Sequence, residues 1–235
     1  MTGTAREAAA ELRECYRLAS TVIPLHRPSR RVMLPDRVFV NRDAKLAAVV
    51  REIAARHATG QPVLVGTRTI ENSEALAERL APLGIPFRVL NAKQDAGEAE
   101  IVERAGEPGN ITIATNMAGR GAHIPVPAES LRAGGLHVIG LERHESARID
   151  RQLIGRCARQ GQPGSAQFFL ALDDDLLVRH APGISAAGAN VEGEFPPNVA
   201  AHVLRVQRKV ETAARQQRRQ LAHYDQWLDE LKQAL

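Results

Sequence analysis

The chain has 235 residues, of which 44% are hydrophobic and 25% are charged, and its formal net charge is +4. This composition excludes a disordered or collagen-like protein and supplies enough apolar residues for a core. No apolar run reaches the roughly 18 residues of a membrane span and the first residues lack a signal-peptide pattern, so we expect a cytoplasmic protein.

The first strong element in the chain is a helix at about 43–57, because Leu46, Val49, Val50 and Ile53 fall on one helical face. From 62 to 172, short apolar runs then alternate with segments of helical period, which is typical of a parallel α/β sheet. We predict strands at 62–66, 87–90, 111–114, 136–140 and 166–172, separated by helices at 71–84, 95–106 and 145–160. The fold class is therefore α/β, a parallel sheet flanked by helices.

One connection, 115–135, is too long and too rich in glycine and proline for a simple crossover, and it contains NMAGRGAHIPVP. Gly119 and Gly121 flank Arg120, so the backbone can turn sharply there and present clustered amide groups to an anion. Long loops at strand ends of such sheets usually carry function. A single loop of this kind is nevertheless a weak signal.

A second candidate is the stretch QLIGRCARQG, which runs from Gln152 to Gly161. Read as a helix, it places Gln152, Arg156 and Arg159 at i, i+4 and i+7, on one face. An isolated arginine pair at this spacing is usually surface charge. Together with Arg120, however, the pair suits phosphoryl transfer, where one well-placed arginine is worth roughly 10³ to 10⁵ in rate.

Other catalytic elements do not occur in the sequence. None of the four lysines belongs to a GxxxxGK[ST] phosphate loop. The acids Asp173 to Asp175 follow an apolar strand, but without a phosphate loop we interpret them as helix N-terminal acids. Neither the histidines nor Cys15 and Cys157 have the spacing of metal ligands, and we predict no metal site.

The composition changes after Leu177, where 181–197 is predicted to be a flexible linker. From 198 to 235 a heptad pattern predicts one helix of roughly 57 Å, whose apolar seam must pack on another surface, within this chain or outside it. We interpret its basic middle as a solvated face rather than a binding stripe. The seam residues are Val199, Val203, Val206, Val210, Ala214, Gln217, Leu221, Tyr224, Leu228, Leu231 and Leu235.

Long stretches of the chain resemble the SecA preprotein translocase ATPases. The matching stretches of that family's second nucleotide-binding domain are QPVLVGTRTIENSEAL, RVLNAK, ITIATNMAGRG, GGLHVIGLERHESARIDRQL and GRCARQGQPGS. The tail VQRKVETAARQQRRQLAHYD resembles the start of the family's long scaffold helix, and the opening MTGTA resembles the close of its first motor domain. The resemblance covers nearly the whole sequence, and motifs this long are highly specific.

The resemblance implies a RecA-like domain of the P-loop NTPase superfamily, of helicase C-terminal type, followed by one long helix. Two such domains would close on ATP, the first supplying the phosphate loop and the acids that hold Mg²⁺, and this one supplying arginines. Arg120, Arg156 and Arg159 would then be catalytic, with Gly119, Gly121, His123 and Gln152 binding nucleotide. The implied division is 1–36, end of the first motor domain and connection; 37–180, second nucleotide-binding domain; 181–197, linker; 198–235, scaffold-type helix.

The implied function is the C-terminal motor half of an ATP-driven protein translocase, inactive alone because it lacks a Walker A loop. Its partners would be a Walker-bearing first motor domain, the protein-conducting channel, a preprotein and an anionic lipid surface, at the inner face of the cell membrane. We expect no nucleic acid partner, since aromatic residues make up only 3% of the chain.

The sequence departs from the family pattern at several positions. Ala122 and His123 stand where GRGTDI has its threonine and aspartate, so a carboxylate that could bond the nucleotide's sugar is lost. Ile154, Cys157, Ala158 and Gln162 also differ from the usual residues. Two alternatives therefore stay open: a docking module for a translocase or membrane without ATPase activity, and the second RecA-like domain of a nucleic-acid helicase.

Overall fold

The computed structural model describes residues 8–90, 98–115 and 123–234. In these residues seven parallel strands form one sheet, in the order β1-β7-β6-β3-β5-β4, and β2 pairs with β7 beyond the end of β1. The predicted fold class, a parallel sheet flanked by helices with a long C-terminal helix, is confirmed. The strands are β1 Arg30–Met33, β2 Arg37–Phe39, β3 Val63–Thr67, β4 Phe87–Leu90, β5 Ile111–Thr115, β6 Leu136–Gly140 and β7 Pro163–Ala171.

The five predicted strands correspond to β3 through β7 because most of these runs are apolar enough to be buried on both faces. Every residue of β3, β5 and β6 is buried, as expected for the centre of a parallel sheet. Strands β1 and β2 were not predicted. The sequence of β1, RRVM, is largely exposed at the sheet edge, and it joins the sheet through its pairing with β7.

The helices are α1 Ala9–Tyr16, α2 Arg42–Ala58, α3 Ile70–Leu80, α4 Glu98–Arg104, α5 Ala128–Arg132, α6 Ala147–Ile154, α7 Asp175–His180 and α8 Asn198–Ala234. Two of them, α2 and α3, begin with a side-chain cap. The side chain of Asn41 accepts a hydrogen bond from the Ala44 amide at 2.9 Å, and that of Thr69 accepts one from the Asn72 amide at 3.2 Å. Helix α5 lies within the long connection 115–135.

Each face of the sheet has its own apolar layer. On one face, Ile53 of α2 and Leu76 of α3 pack on residues of β3 and β5. On the other face, Val102 of α4 and Leu153 of α6 pack on Leu64, Val138 and neighbouring residues. The two layers make the three-layer arrangement that an all-parallel sheet requires.

Helix α8 confirms the predicted long helix, and the first half of its seam packs within this chain. Val203 and Val206 are buried in a third apolar cluster together with Leu170 of β7 and Leu176 of α7. In the second half of α8 the seam is no longer covered, because the seam residues Leu221 and Tyr224 are exposed. The side chains of Leu231 and Leu235 lie outside the described residues.

Helix α1 lies against the basic middle of α8. Arg218 donates two hydrogen bonds to the carboxylate of Glu11, at 2.6 and 3.0 Å, and Arg219 forms an ion pair with Glu14. These pairs lower the pKa of both glutamates, mainly through hydrogen bonds from the arginines. Part of the basic face is therefore paired within the chain, although these arginine side chains stay largely exposed.

The segment 181–197 is packed on the sheet near its end, contrary to the predicted flexible linker. The Val40 amide donates to the Gly193 carbonyl and the Phe195 amide to the Val38 carbonyl, both at 2.8 Å, and Arg37 forms an ion pair with Glu194 at 2.6 Å. The Phe195 ring is buried in the third cluster. The glycines and prolines of 181–197 suggested a linker, but the aromatic side chain of Phe195 anchors the segment near its end. The division into domains remains a prediction.

The acids that follow β7 lie at the start of α7, as expected, but Asp174 does more than complement a helix dipole. Its carboxylate forms a buried ion pair with Lys45 of α2 and accepts a hydrogen bond from the Ala171 amide at 2.8 Å. Lys45 also donates to the Leu141 carbonyl at 2.8 Å. Burial raises the pKa of Asp174 to about 6, against the opposing charge of Lys45. This pair ties α2 to the C-terminal ends of β6 and β7.

Candidate functional site

The candidate arginines lie on a turn rather than on a helix. Helix α6 ends at Ile154, where the Gly155 amide donates to the Arg151 carbonyl at 2.8 Å. The prediction of a helix extending to 160 was wrong, because Ala158 and Gln160 both adopt left-handed backbone conformations with φ of 54°. Left-handed residues cannot continue a right-handed helix.

We call residues 155–162 the arginine turn. Gln152 lies in the last turn of α6, Arg156 follows the end of that helix, and Arg159 begins a short 3₁₀ turn, Arg159–Gly161. The three residues are close in the chain but do not share one helical face. All three residues are partly buried.

The backbone of the arginine turn is held from two sides. Cys157 is buried in the sheet-facing cluster, and the Arg31 Nη2 donates to the Cys157 carbonyl at 3.0 Å. Gly161 has a φ of 75°, and a Cβ there would lie 2.9 Å from the Cβ of Arg27. The turn is thus closely packed against the segment that leads into β1, where only glycine fits without displacement.

The Cys157 thiol is a structural group. Burial raises its pKa, and this effect outweighs the nearby Arg31 guanidinium, which lowers the pKa. A thiol with a raised pKa stays protonated near neutral pH and is a poor nucleophile. The chemistry that the turn offers is therefore that of its guanidinium groups.

The other half of the predicted site falls mostly outside the described residues. Gly119, Arg120 and Gly121 belong to 116–122, of which the structure describes nothing. His123 is described and exposed, next to the buried Ile124. A meeting of Arg120 with the arginine turn therefore stays a prediction.

Sequence reasoning missed a charged network at the start of α6. Arg143 donates to both carboxylate oxygens of Asp36, at 2.7 to 3.1 Å, and its Nη1 donates to Asp150 at 3.2 Å. Its guanidinium carbon lies 3.7 Å from the centre of the Phe168 ring. Burial raises the pKa of Asp36, while Arg143 opposes that shift. The signal available in the sequence was the closely spaced Arg143, His144 and Asp150 after a buried strand.

Two classes of site find no support in the part of the chain that the structure describes. No group of three or more His, Cys, Asp or Glu side chains there is placed to hold a metal ion. None of the helices in these residues combines the length and hydrophobicity needed to cross a membrane. Among the predicted site residues that the structure describes, Arg156 and Arg159 are of the type that suits an anionic ligand, because a planar guanidinium fork matches phosphate oxygens.

Comparisons with known proteins identify the family of the chain. A family model described as the SecA P-loop domain matches residues 28–131 and 127–186. The protein translocase subunit SecA of Desulfovibrio desulfuricans is 53% identical over 177 residues, which are 75% of this chain and 21% of that protein. The protein translocase subunit SecA 2 of Bordetella avium is 47% identical over 234 residues, 97% of this chain and 36% of that protein.

Among solved structures, the E. coli DEAD-box protein SrmB bound to the regulator of ribonuclease activity A matches with a TM-score of 0.49 and 25% identity, covering 66% of this chain and 83% of that one. This chain spans between 21% and 36% of the length of the SecA relatives described above. The family model matches more than half of the sequence. The chain belongs to the SecA protein translocase family.

Proposed function

We propose that this chain acts as the second half of a SecA-like motor that uses ATP to drive protein translocation. In this role it supplies Arg156 and Arg159 to ATP held by a phosphate loop on another domain. The observation that carries the proposal is the arginine turn, which holds two partly buried arginines on a backbone fixed by packing and hydrogen bonds. Membership of the SecA family makes ATP the expected anion.

The chemistry follows from the charge that develops on the phosphate. In phosphoryl transfer, catalysis is largely positioning and electrostatic stabilisation of the equatorial oxygens. A guanidinium fork suits this task because it can bind two oxygens and remains charged at any physiological pH. A fixed backbone matters because a displacement of about 1 Å can cost about a hundredfold in rate.

The chain needs a partner for this reaction because its sequence contains no phosphate loop. The partner domain would hold ATP and Mg²⁺, and this chain would approach from the other side of the nucleotide. Gln152, His123 and the 116–122 segment, with Gly119, Arg120 and Gly121, are proposed to line the same cleft. A preprotein, a protein-conducting channel and an anionic membrane surface are proposed partners of the complete motor.

The test is ATP hydrolysis by the chain alone and after adding a separately expressed SecA-type first motor domain. We expect no turnover by the chain alone and turnover by the mixture. Arg156→Ala and Arg159→Ala should each lower the rate of the mixture about a thousandfold or more. Arg208→Ala, on the exposed side of α8, is the matched control and should leave the rate unchanged.

Association without hydrolysis would favour the alternative, a docking module. That alternative has one observation in its favour, the exposed apolar groups on the second half of α8, namely Leu221, Tyr224 and Trp227. Association is measured separately by sedimentation of the mixture, so that loss of binding is not mistaken for loss of catalysis. Substantial ATP turnover by the chain alone would contradict the proposal.

A further inference from the structure

Helix α8 is bonded to the start of α6 through a buried glutamine. Gln207 is 3% exposed, and its Nε2 donates to the His144 carbonyl and to the Asp150 Oδ2, both at 2.7 Å. Both partners are oxygens, which fixes the orientation of the amide. One side chain thus supplies two donors to the segment in which α6 begins.

Asp150 is the centre of this contact. Its Oδ1 accepts hydrogen bonds from the His144 amide at 3.0 Å and from the His144 Nδ1 at 2.7 Å, and its Oδ2 accepts from Gln207 and Arg143. Asp150 is 2% exposed, so its charge depends on these donors rather than on water. Removing one of them leaves a buried carboxylate short of a partner.

A second contact joins the same two helices one turn farther along α8. Ser146 is the N-cap residue of α6, but its side chain does not cap the helix. Its hydroxyl instead donates to the Glu211 Oε1 at 3.2 Å. Gln207 and Glu211 are four residues apart, so they project from the same face of α8.

Helix α6 connects this anchor directly to the arginine turn. It is eight residues long, about 12 Å at 1.5 Å per residue, and Arg156 follows one residue after the glycine that ends it. Its last residues, Leu153 and Ile154, pack both on the sheet and on the cluster that contains Val203 and Val206 of α8. A two-turn helix held at its start by α8 is short enough that a shift of α8 can reach its other end.

We propose that Gln207 is a positioning residue: by fixing Asp150 at the start of α6, it makes the placement of the arginine turn depend on the seating of α8. Gln207 itself does not contact the nucleotide in this account. The inference deepens the proposed function and rests on it for its catalytic consequence. Its structural part, the coupling of α8 to residues 155–162, stands independently of any ATPase activity.

The structural part is tested by amide hydrogen exchange on the whole chain, without nucleotide or partner. Gln207→Met keeps the length of the side chain and removes both donors. We expect exchange in 155–162 to become at least about tenfold faster, the factor at the lower end of what one lost hydrogen bond to a charged group is worth. Exchange in β3 and β5 should not change. Gln216→Met, at an exposed position of the same helix, is the matched control and should change neither region.

The pattern of exchange separates positioning from a general structural role. A merely structural Gln207 would loosen α8 alone, or would speed exchange throughout the sheet. Either result overturns the proposal, because Gln207 does not touch residues 155–162 and acts on them only through α6. If Gln207→Met fails to fold, Ser146→Ala breaks the milder second contact and should speed exchange in 155–162 by a smaller factor, with β3 and β5 unchanged. If Ser146→Ala leaves amide exchange in 155–162 unchanged, the proposal is likewise overturned.

The catalytic part is tested in the mixture with the first motor domain. Gln207→Met should lower kcat about tenfold, in step with the exchange result, while KM for ATP changes less than about twofold. A rise in KM with unchanged kcat would contradict a role in positioning catalytic arginines. If the unsubstituted mixture shows no hydrolysis at all, the proposed function fails, yet the exchange result still decides whether Gln207 couples α8 to the turn.

Discussion

The Nε of Arg159 donates a hydrogen bond to the Gly155 carbonyl at 3.0 Å, which closes the arginine turn on itself. This bond uses one of the five N–H groups of the guanidinium and sets the direction of the others. Because Gly155 also ends α6, the position of Arg159 is tied to the end of that helix. The turn therefore behaves as one unit with α6 rather than as a loose loop.

The packing of the arginine turn on the segment before β1 gives a first prediction. Gly161→Ala should destabilise the chain by about 2–3 kcal/mol, because it adds a Cβ at 2.9 Å from that of Arg27 to the cost of a left-handed alanine. Gly60→Ala is the control, since Gly60 has a similar φ but open space around it, and should cost only about 1–2 kcal/mol. Urea unfolding of both variants measures the difference. Equal losses would show that the contact with Arg27 is not tight.

A second prediction concerns the buried pair of Lys45 and Asp174. Lys45→Met leaves the Asp174 carboxylate buried without its cation, and we expect a loss of about 3–5 kcal/mol in the free energy of unfolding. Lys209→Met, on the exposed side of α8, should change stability by less than about 0.5 kcal/mol. Thermal and urea unfolding measure the loss of stability in both variants. A small loss in Lys45→Met would mean that Asp174 is readily solvated.

The same pair predicts how stability depends on pH. The pKa of Asp174 is raised to about 6 in the folded chain by burial, above its ordinary value of 3.8. Between these values the folded state binds more protons than the unfolded state, so the stability contributed by this group falls as the pH rises from about 4 to 6. The advantage of the unsubstituted chain over Asp174→Asn should therefore shrink across this window. An advantage that grows with pH would show that the Lys45 charge dominates and holds the pKa low.

The anchoring of 181–197 gives a fourth prediction. Phe195→Ala empties a buried position between β2 and α8 and should cost about 3–5 kcal/mol. Val191→Ala, at a fully exposed position of the same segment, should be neutral within about 0.5 kcal/mol. Urea unfolding of the two variants measures the difference in their free energies of unfolding. A neutral Phe195→Ala would restore the interpretation of this segment as a flexible linker.

The sequence predicted the parts of the fold that depend on local pattern. Strand β3 and its neighbours were predicted correctly because a short, continuous apolar run between helical segments indicates a strand buried on both faces. Strand β1 was missed because its sequence, RRVM, is largely exposed and half of it is charged, and because its strand geometry comes from β7, more than a hundred residues away. Pairings at that distance leave little trace in local composition.

The candidate site shows the same division. The residue types and their spacing indicated the arginines. The sequence also predicted a helix that would carry them, and this was wrong, because Ala158 and Gln160 carry no local signal for the left-handed region that they adopt. The contact between Gln207 and Asp150 joins residues 57 positions apart and depends on how α8 lies on the domain. No periodicity in either helix indicates it.

The most direct test of the central claim is the ATP hydrolysis rate of the mixture of this chain with a first motor domain, compared between Arg159→Ala and Arg208→Ala. The account predicts turnover that falls about a thousandfold or more in Arg159→Ala and stays unchanged in Arg208→Ala, with association intact in both. Equal turnover in the two variants would contradict it, because the arginine turn would then contribute nothing to the reaction.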